Sequence, residues 1–475
     1  MRVVVLTGPV ADERLLREVA GAETAVLGVP ARFAAVDGAA ALEAELGATS
    51  GDCAVVAVPG PSPDVRRLMD VPAAYSPRTV WLDLERTGPI PVAGGAAHQQ
   101  GRGVAGLIWA IRHAVHRLRW PARRIAYGDH PDQWADLRLP MAASPPAPRS
   151  GPSESESVPT AEPREGAARP VADAPPPVAT DPRPYFVKDV GPARHTDPGA
   201  DGVSGTGRDR VTGTSTGSVA DVSSDDLTGA GSGEVAGMSS DDVAGTGPDD
   251  AIGGGGTGSR PPVVVLVHGG YWRSIWGADL MDALAIDLAR RGIASWNLEY
   301  RRPDLHGWDA TTADVAAGIA ALRSLDVPVD LDRVAVAGHS AGGQLALRAA
   351  ADAGGAVAVA VSLAGVLDLV EGYRRHMSSG AVHDALGGTP EEIPETYAAA
   401  SPLLRLPLGV PQIVVQGASD DLDLVDMARR YTSAAGDEAT YIERPGDHWS
   451  VIDPSTPIWA HTARELTTRL TPRHG

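Results

Sequence analysis

The sequence predicts an α/β protein with two parallel-sheet regions separated by a long acidic segment. Short apolar runs, each bounded by Gly, Pro or Asp, alternate with helix-like stretches in residues 1–122 and again in residues 261–475. The residues between them, 141–260, are rich in Pro, Ser, Gly, Thr and Asp. Strands that alternate with helices form a parallel sheet covered on both faces, so we expect two such sheets.

The first region contains four predicted buried strands and four predicted helices. The strands are Val3–Thr7, Ala25–Val29, Cys53–Val58 and Thr79–Leu84. The helices are Asp12–Ala20, Ala39–Leu46, Asp64–Met69 and, most clearly, Gly103–Leu118, whose apolar residues recur at i, i+3, i+4 and i+7. His113 and His116 lie three residues apart on the polar face of this last helix, and with no third ligand nearby they do not predict a metal site.

The segment 141–260 carries much of the chain's negative charge. Residues 141–259 contain 18 acidic and 8 basic residues, a net charge of −10 out of −19 for the whole chain. Such a segment cannot bury enough apolar surface to offset the entropy of ordering it, so we expect a disordered insertion. No basic stripe offsets this charge elsewhere, which argues against a nucleic-acid-binding protein.

Two further features limit the environment of the protein. No stretch approaches the roughly 20 apolar residues that span a bilayer, so no membrane association is expected. Cys53 is the only cysteine, which excludes an intrachain disulfide. We therefore expect a cytoplasmic protein.

The third region repeats the strand–helix alternation. The predicted strands are Val263–Val267, Ala294–Leu298, Val334–Ala337, Val357–Leu363, Gln412–Gln416 and Tyr441–Glu443. The predicted helices are Ala278–Arg291, Ala310–Leu325, Ala341–Ala353, Leu424–Ala435 and Pro457–Leu470.

A candidate nucleophile lies between a strand and a helix of this region. Gly338-His339-Ser340-Ala341-Gly342 fits G-x-S-x-G, follows the apolar run Val334–Ala337 and precedes a helical stretch. This is the strand–turn–helix context of a nucleophile elbow, which exposes the serine on a strained turn. Ser340 is therefore the predicted nucleophile.

A glycine-rich loop upstream predicts an oxyanion hole. His268-Gly269-Gly270-Tyr271-Trp272 follows the strand Val263–Val267 directly. Glycines let the backbone approach a bound carbonyl, so Gly269, Gly270 and Tyr271 are the candidate donors, joined by the N–H of Ala341. The alternative is an ordinary Gly-rich turn before a helix.

An acid and a base follow the serine in the chain. Asp420 comes after the strand Gln412–Gln416, with Asp421 and then Asp368 as competitors. His448 lies in the loop after the last predicted strand. The order Ser, Asp, His and these positions at strand ends predict a catalytic triad in which His448 is the base and Asp420 orients it.

These motifs resemble the α/β-hydrolase superfamily. His268–Trp272 is similar to the H-G-G-x-W motif of kynurenine formamidase (arylformamidase) and related carboxylesterases, and Tyr127–Pro140 is similar to the opening strand of that family. The resemblance implies that residues 123–140 begin the hydrolase domain and that 261–475 complete it. It also implies hydrolysis of a small ester or N-formyl aryl amide without cofactor or metal.

The sequence leaves the substrate open. A general carboxylesterase is the first alternative, and a non-catalytic binding or scaffold protein is an alternative of another class. Trp272, Trp276 and Trp449 flank the candidate catalytic residues and are predicted to line an aryl-binding pocket, although ordinary core tryptophans fit the pattern equally well.

The N-terminal region resembles type II 3-dehydroquinate dehydratase. Leu6–Pro9, Val58–Pro61 and Gly101–Gly106 are similar to its first turn, its third-strand turn and the entry to its last helix. The family's E-x-H-x-S-N reads Trp81-Leu82-Asp83-Leu84-Glu85-Arg86 here, without the histidine and asparagine. The resemblance implies a flavodoxin-like fold in residues 1–122 that lacks the dehydratase chemistry. Such a domain would serve regulation or the assembly of a homo-oligomer.

Overall fold

The computed structural model describes residues 1–8, 12–140, 260–325 and 327–471. The predicted disordered insertion lies outside the described residues. Both sheets belong to one unit of the chain.

The N-terminal region forms a five-stranded parallel sheet. Its elements are β1 (Arg2–Thr7), α1 (Glu13–Val26), β2 (Ala31–Ala35), α2 (Ala39–Ala48), β3 (Cys53–Val58), α3 (Pro63–Arg66), β4 (Thr79–Asp83), β5 (Ala97–Gln100) and α4 (Gly106–Arg119). The strand order β2-β1-β3-β4-β5 is the doubly wound, flavodoxin-like order. This confirms the predicted fold of the region.

Two strands of this sheet differ from the sequence prediction. The predicted strand Ala25–Val29 is wrong, because α1 continues to Val26 and the second strand is Ala31–Ala35. β2 is an edge strand whose residues are exposed or half-buried, so it lacks the apolar run that marks a buried strand. β5 reads Ala-His-Gln-Gln and was missed for the same reason, although Gln99 and Gln100 are buried.

The larger sheet has eight strands in the order β13-β12-β11-β10-β8-β9-β7-β6. The chain enters it through β6 (Arg123–Ala126) and β7 (Trp134–Arg138), which pair antiparallel with each other, and β7 pairs antiparallel with β9. Residues 123–138 therefore contribute two strands to the larger sheet, ahead of the insertion.

The remaining strands are parallel and lie between helices. The chain runs through β8 (Val263–Val267), α5 (Asp282–Arg290), β9 (Ala294–Leu298), α6 (Pro303–His306), α7 (Trp308–Ser324), β10 (Val334–His339), α8 (Ala341–Asp352), β11 (Val359–Leu363), α9 (Leu369–Arg374), α10 (Met377–Leu386), α11 (Pro394–Ala400), β12 (Gln412–Gly417), α12 (Leu422–Ala435), β13 (Ala439–Arg444) and α13 (Pro457–Leu470). Every residue of β8, β10, β11 and β12 is buried, which explains why each contains a short apolar run. The carboxyl ends of these strands position the candidate catalytic residues.

The helices have a property that bears on their environment. Within the described ranges, none is both long enough and apolar enough to cross a bilayer.

Candidate active site

Ser340 occupies a strained turn between β10 and α8. Its φ of 54° and ψ of −121° lie outside the regions that a residue with a side chain ordinarily adopts. The backbone N–H of Ser340 donates to the carbonyl of Leu363 at 2.8 Å, which fixes the turn against β11. Ala341 begins α8, so its N–H belongs to the helix N-terminus, where backbone donors have no intrahelical partner. This is the strand–turn–helix arrangement that the motif predicts.

The glycine-rich loop after β8 lies beside the serine. A Cβ placed on Gly269 would be 2.9 Å from the Cβ of Ser340 and 2.6 Å from the carbonyl oxygen of His339, so only glycine fits there. Gly270, Tyr271 and Trp272 have φ values of 111°, 52° and 56°. Positive φ values of this kind belong to a tight turn, and the backbone N–H groups of a turn can form an anion-binding concavity.

A buried network behind this loop was missed in the sequence analysis. The ring nitrogens of His268 lie 2.8 Å from the Gly269 carbonyl and 3.1 Å from Glu299 Oε1. Tyr300 donates its hydroxyl to the His268 carbonyl at 2.8 Å, and its ring stacks on the imidazole. The network holds the loop in place. Its sequence signal is an acid directly after β9, the parallel neighbour of β8.

Charge pairing keeps Glu299 ionised within this network. Burial alone would raise the pKa of the Glu299 carboxyl. The Arg302 guanidinium and the imidazole of His268 outweigh burial and hold this pKa well below its ordinary value. The carboxylate also accepts the N–H of Ala278 at 2.9 Å, so it links the start of the next helical turn to the loop.

Of the three acids that compete for the triad, the structure places Asp420 against His448. The distance from His448 Nδ1 to Asp420 Oδ2 is 3.0 Å, and the Asp420 side chain is 3% exposed. Gln416 donates to the same carboxylate at 2.8 Å. Asp421 instead caps α12 by accepting the N–H of Asp423, and Asp368 caps α9 and pairs with Arg430.

His339 connects the elbow to the His448 loop. Its Nε2 lies 3.0 Å from the carbonyl of His448, and the two ring centroids are 4.7 Å apart. Burial, reinforced by the neighbouring His448, lowers the pKa of His339 to about 3. His339 is therefore a neutral ring that donates to the His448 carbonyl, and it ties the residue before Ser340 to the loop that carries His448.

The three candidate pocket tryptophans lie in different surroundings. Trp272 is 2% exposed, donates to Gln344 Oε1 at 3.1 Å and packs edge-on against Trp308. Its placement fits the alternative of an ordinary core tryptophan. Trp276 and Trp449 are half-buried, and their ring centroids are 6.1 Å apart. The Trp449 ring is 5.6 Å from the His448 ring, so these two indoles lie at the candidate site.

The N-terminal sheet region adds a tryptophan that was not predicted. The ring of Trp109, on α4, is 6.3 Å from Trp276 and 5.3 Å from Trp449. Its signal in the sequence is weak, because it is one half-buried aromatic residue on a helix about 340 residues away from His448.

One group of potential metal ligands occurs among the described residues. His130, Asp132 and His306 offer atoms within 4.8 Å of one another. However, His130 Nδ1 accepts the N–H of Asp132 at 3.1 Å, and the Asp132 carboxylate pairs with Arg302 at 3.3 Å. These polar contacts account for the cluster without a cation.

Comparisons with known proteins found similarity to a family model and to solved structures. The BD-FAE family model matches residues 255–430. A truncated carbohydrate esterase from gut microbiota is 20% identical over 45% of this chain and 87% of that chain, with a TM-score of 0.40. A bacterial heroin esterase is 23% identical over 47% of this chain and 76% of that chain, with a TM-score of 0.38. A thermostable esterase from Pseudomonas putida is 20% identical over 46% of this chain and 77% of that chain, with a TM-score of 0.38.

No curated protein matches the chain. The family-model match covers both β8 with its glycine-rich loop and the elbow at Ser340, within a sheet whose parallel strands lie between helices. The strained serine between β10 and α8 lies within the matched residues, at the position of a nucleophile elbow. Residues 255–430 therefore match an α/β-hydrolase-like family model, and the larger sheet region has the α/β-hydrolase fold.

Proposed function

We propose that the chain is a serine esterase for small carboxylic esters, with Ser340 as nucleophile, His448 as base and Asp420 as the acid that orients the base. The observation that carries the proposal is the 3.0 Å contact between His448 Nδ1 and the buried Asp420 carboxylate. This contact keeps a proton on Nδ1 and leaves Nε2 as the basic nitrogen.

The proposed mechanism needs only groups of the protein and water. As Oγ of Ser340 bonds to the acyl carbon, its proton passes to Nε2 of His448. The carbonyl oxygen becomes an oxyanion and accepts backbone N–H groups of the Gly269–Tyr271 loop and of Ala341. The bond from the acyl carbon to the leaving oxygen then breaks, and that oxygen takes the proton from His448. Water attacks the acyl-serine in the same way, which releases the acid and restores Ser340.

An arylformamidase is the second candidate, and the indoles at the site favour it. The Trp449 ring lies 5.6 Å from the His448 ring, where the leaving group of the substrate would depart, and the Trp276 ring is 6.1 Å from Trp449. Aromatic rings pack well on one another in offset or edge-on arrangements. An N-formyl aryl amide such as N-formylkynurenine would place its ring there and its formyl group at Ser340.

Hydrolysis assays with the purified protein test both candidates. We expect turnover of a short-chain aryl ester, and Ser340→Ala should reduce kcat by about 10³-fold or more, because the nucleophile is lost. Ser455→Ala, which changes an exposed serine, should leave kcat unchanged. Rapid deformylation of N-formylkynurenine, also lost in Ser340→Ala, would support the arylformamidase. Turnover that persists in Ser340→Ala would overturn the proposed nucleophile.

A further inference from the structure

Three indoles from two sheet regions form a closed cluster beside the candidate active site. Trp109 comes from α4 of the N-terminal region, whereas Trp276 and Trp449 follow β8 and β13 of the larger sheet. All three pairs of rings are in contact, with centroids 5.3–6.3 Å apart. We refer to Trp109, Trp276 and Trp449 as the indole cluster.

One member of the indole cluster packs on the oxyanion loop. The position that a Cβ on Gly270 would occupy overlaps the Cβ and ring of Trp276, so this side chain lies directly against the Gly270 backbone. A shift of Trp276 would therefore release the segment of chain that carries the candidate oxyanion donors.

The N-terminal region also holds Trp276 through Arg102. The Arg102 guanidinium lies over the Trp276 ring at 4.5 Å and makes two hydrogen bonds to Asp279, at 2.6 and 2.8 Å. Its Nε donates to the carbonyl of Ile275, next to Trp276, at 2.6 Å. The Arg102 and Asp279 side chains are 3% and 9% exposed, so they form a buried, bidentate ion pair.

A second member of the indole cluster packs on the candidate base His448 and on its neighbour His339. Trp449 follows His448 in the chain, and its ring is 5.4 Å from His339 and 5.6 Å from His448. Trp109 contacts Trp449 more closely than it contacts Trp276. The same indole of the N-terminal region therefore supports both the oxyanion loop and the loop that carries the base.

We propose that Trp109 and Arg102 are positioning residues for the hydrolase site, so that the N-terminal region sets the relative placement of the oxyanion loop and His448. The inference rests on the proposed esterase function for its kinetic consequence. Neither residue touches the reacting atoms. They act through Trp276 and Trp449, which pack on the groups that do.

Kinetics of Trp109 variants test the proposal. Trp109→Ala should lower kcat by roughly ten- to a hundredfold on an aryl ester, because a displacement of about 1 Å in a catalytic group has an effect of that size. KM should change less than kcat, and Trp109→Phe should restore most of the activity by keeping a ring in the cluster. Trp120→Ala is the matched control. Trp120 is the C-cap of the same helix, and its ring contacts Arg290 of the larger region rather than the candidate catalytic loops. The substitution should leave kcat unchanged.

Hydrogen exchange tests the same proposal without relying on turnover. In Trp109→Ala, we expect faster amide exchange at residues 269–276 and 445–452, and no change at these loops in Trp120→Ala. Wild-type exchange at both loops in Trp109→Ala would overturn the inference, and so would an equal loss of kcat in the two alanine variants. Failure of the proposed function would appear differently, as turnover retained by Ser340→Ala or absent from the wild type, and the exchange measurement would still decide the inference.

Discussion

At the scale of single residues, the orientation of His448 depends on one buried carboxylate. Asp420 accepts from Gln416 and lies 3.0 Å from His448 Nδ1, while its other oxygen accepts the N–H of Asp421. All of these contacts need an acceptor at both oxygens. An amide group at this position would present a donor to a ring nitrogen that must itself donate.

We therefore predict that Asp420→Asn lowers kcat by about 10⁴-fold, because it favours the wrong tautomer of the imidazole. The thermal unfolding midpoint should change little, since the substitution keeps the shape of the side chain. The neighbouring Asp421→Asn should keep wild-type kcat, because asparagine caps helices as well as aspartate does. Equal kcat values for the two variants would refute the assignment of Asp420. Ester hydrolysis and calorimetry measure both quantities.

The residues that sequence reasoning found are those in short, ordered motifs. Ser340, its flanking residues and the Gly269–Tyr271 loop were recognisable because strand, turn and helix follow one another within a few positions. Trp109 and Glu299 were not, because their contacts join parts of the chain that no local pattern relates. Trp272 shows the reverse error, since adjacency to a motif suggested a pocket and the side chain lies in the core.

At the scale of elements, the oxyanion loop combines a special backbone with a close neighbour. Gly270 has a φ of 111° and lies against Trp276, so an alanine there would meet both backbone strain and a steric clash. Gly292 has a φ of 84° with nothing within 4 Å of an added Cβ. The two glycines thus separate the effect of strain from the effect of displacement at the site.

We predict that Gly270→Ala lowers kcat by about 10²–10³-fold, the range found when an oxyanion donor is lost. Gly292→Ala should lower the free energy of unfolding by about 1 kcal/mol through backbone strain alone and leave kcat unchanged. Urea titration and steady-state kinetics of both variants make the comparison. Normal kcat in Gly270→Ala would show that the loop does not form the oxyanion hole.

Among the elements, buried strands were predictable and the edges and additions were not. Strands β8, β10 and β12 are buried throughout and contain the apolar runs Val263–Val267, Val334–Ala337 and Ile413–Val415. The edge strand β2 has no such run. The short helices α9–α11 follow one another between β11 and β12, with no strand between them, so strand–helix alternation does not predict them. Apolar periodicity marks an element that buries an apolar face, so it does not reveal elements whose apolar residues form no distinct face.

At the scale of the whole molecule, α4 joins the two sheet regions. The sequence places His113 and His116 on the polar face of this helix, and the structure shows that part of this face is buried. His113 is buried with its Nδ1 2.6 Å from Asp282 Oδ2, and Arg138 Nη2 lies 3.2 Å from Asp282 Oδ1. The face that looked polar is a buried electrostatic contact with the larger region, which explains its charged and titratable residues.

This contact makes the stability of the protein depend on pH. Burial lowers the pKa of His116 to about 4, against the attraction of Asp282 and with help from His113, Arg138 and Arg112. Between pH 6.5 and about 4, the unfolded chain therefore binds a proton at this residue that the folded chain does not. The free energy of unfolding falls as the pH falls through this window, by up to about 3 kcal/mol from this group.

We predict that His116→Phe, which cannot take up the proton, flattens the pH dependence of stability between pH 6.5 and 4. The slope of the free energy of unfolding against pH should decrease by up to about 1.4 kcal/mol per pH unit, the contribution of one proton. Urea denaturation at half-unit intervals of pH measures this slope. The control is His383→Phe, which changes an exposed histidine on α10 and should keep the wild-type slope. In both variants, His113 and Arg138 outweigh burial and hold the pKa of the Asp282 carboxyl well below its ordinary value, so Asp282 stays ionised in the folded chain across this window. An unchanged slope in His116→Phe would show that His116 titrates alike in the folded and unfolded chains, and that the interface between the two sheet regions does not exclude its proton.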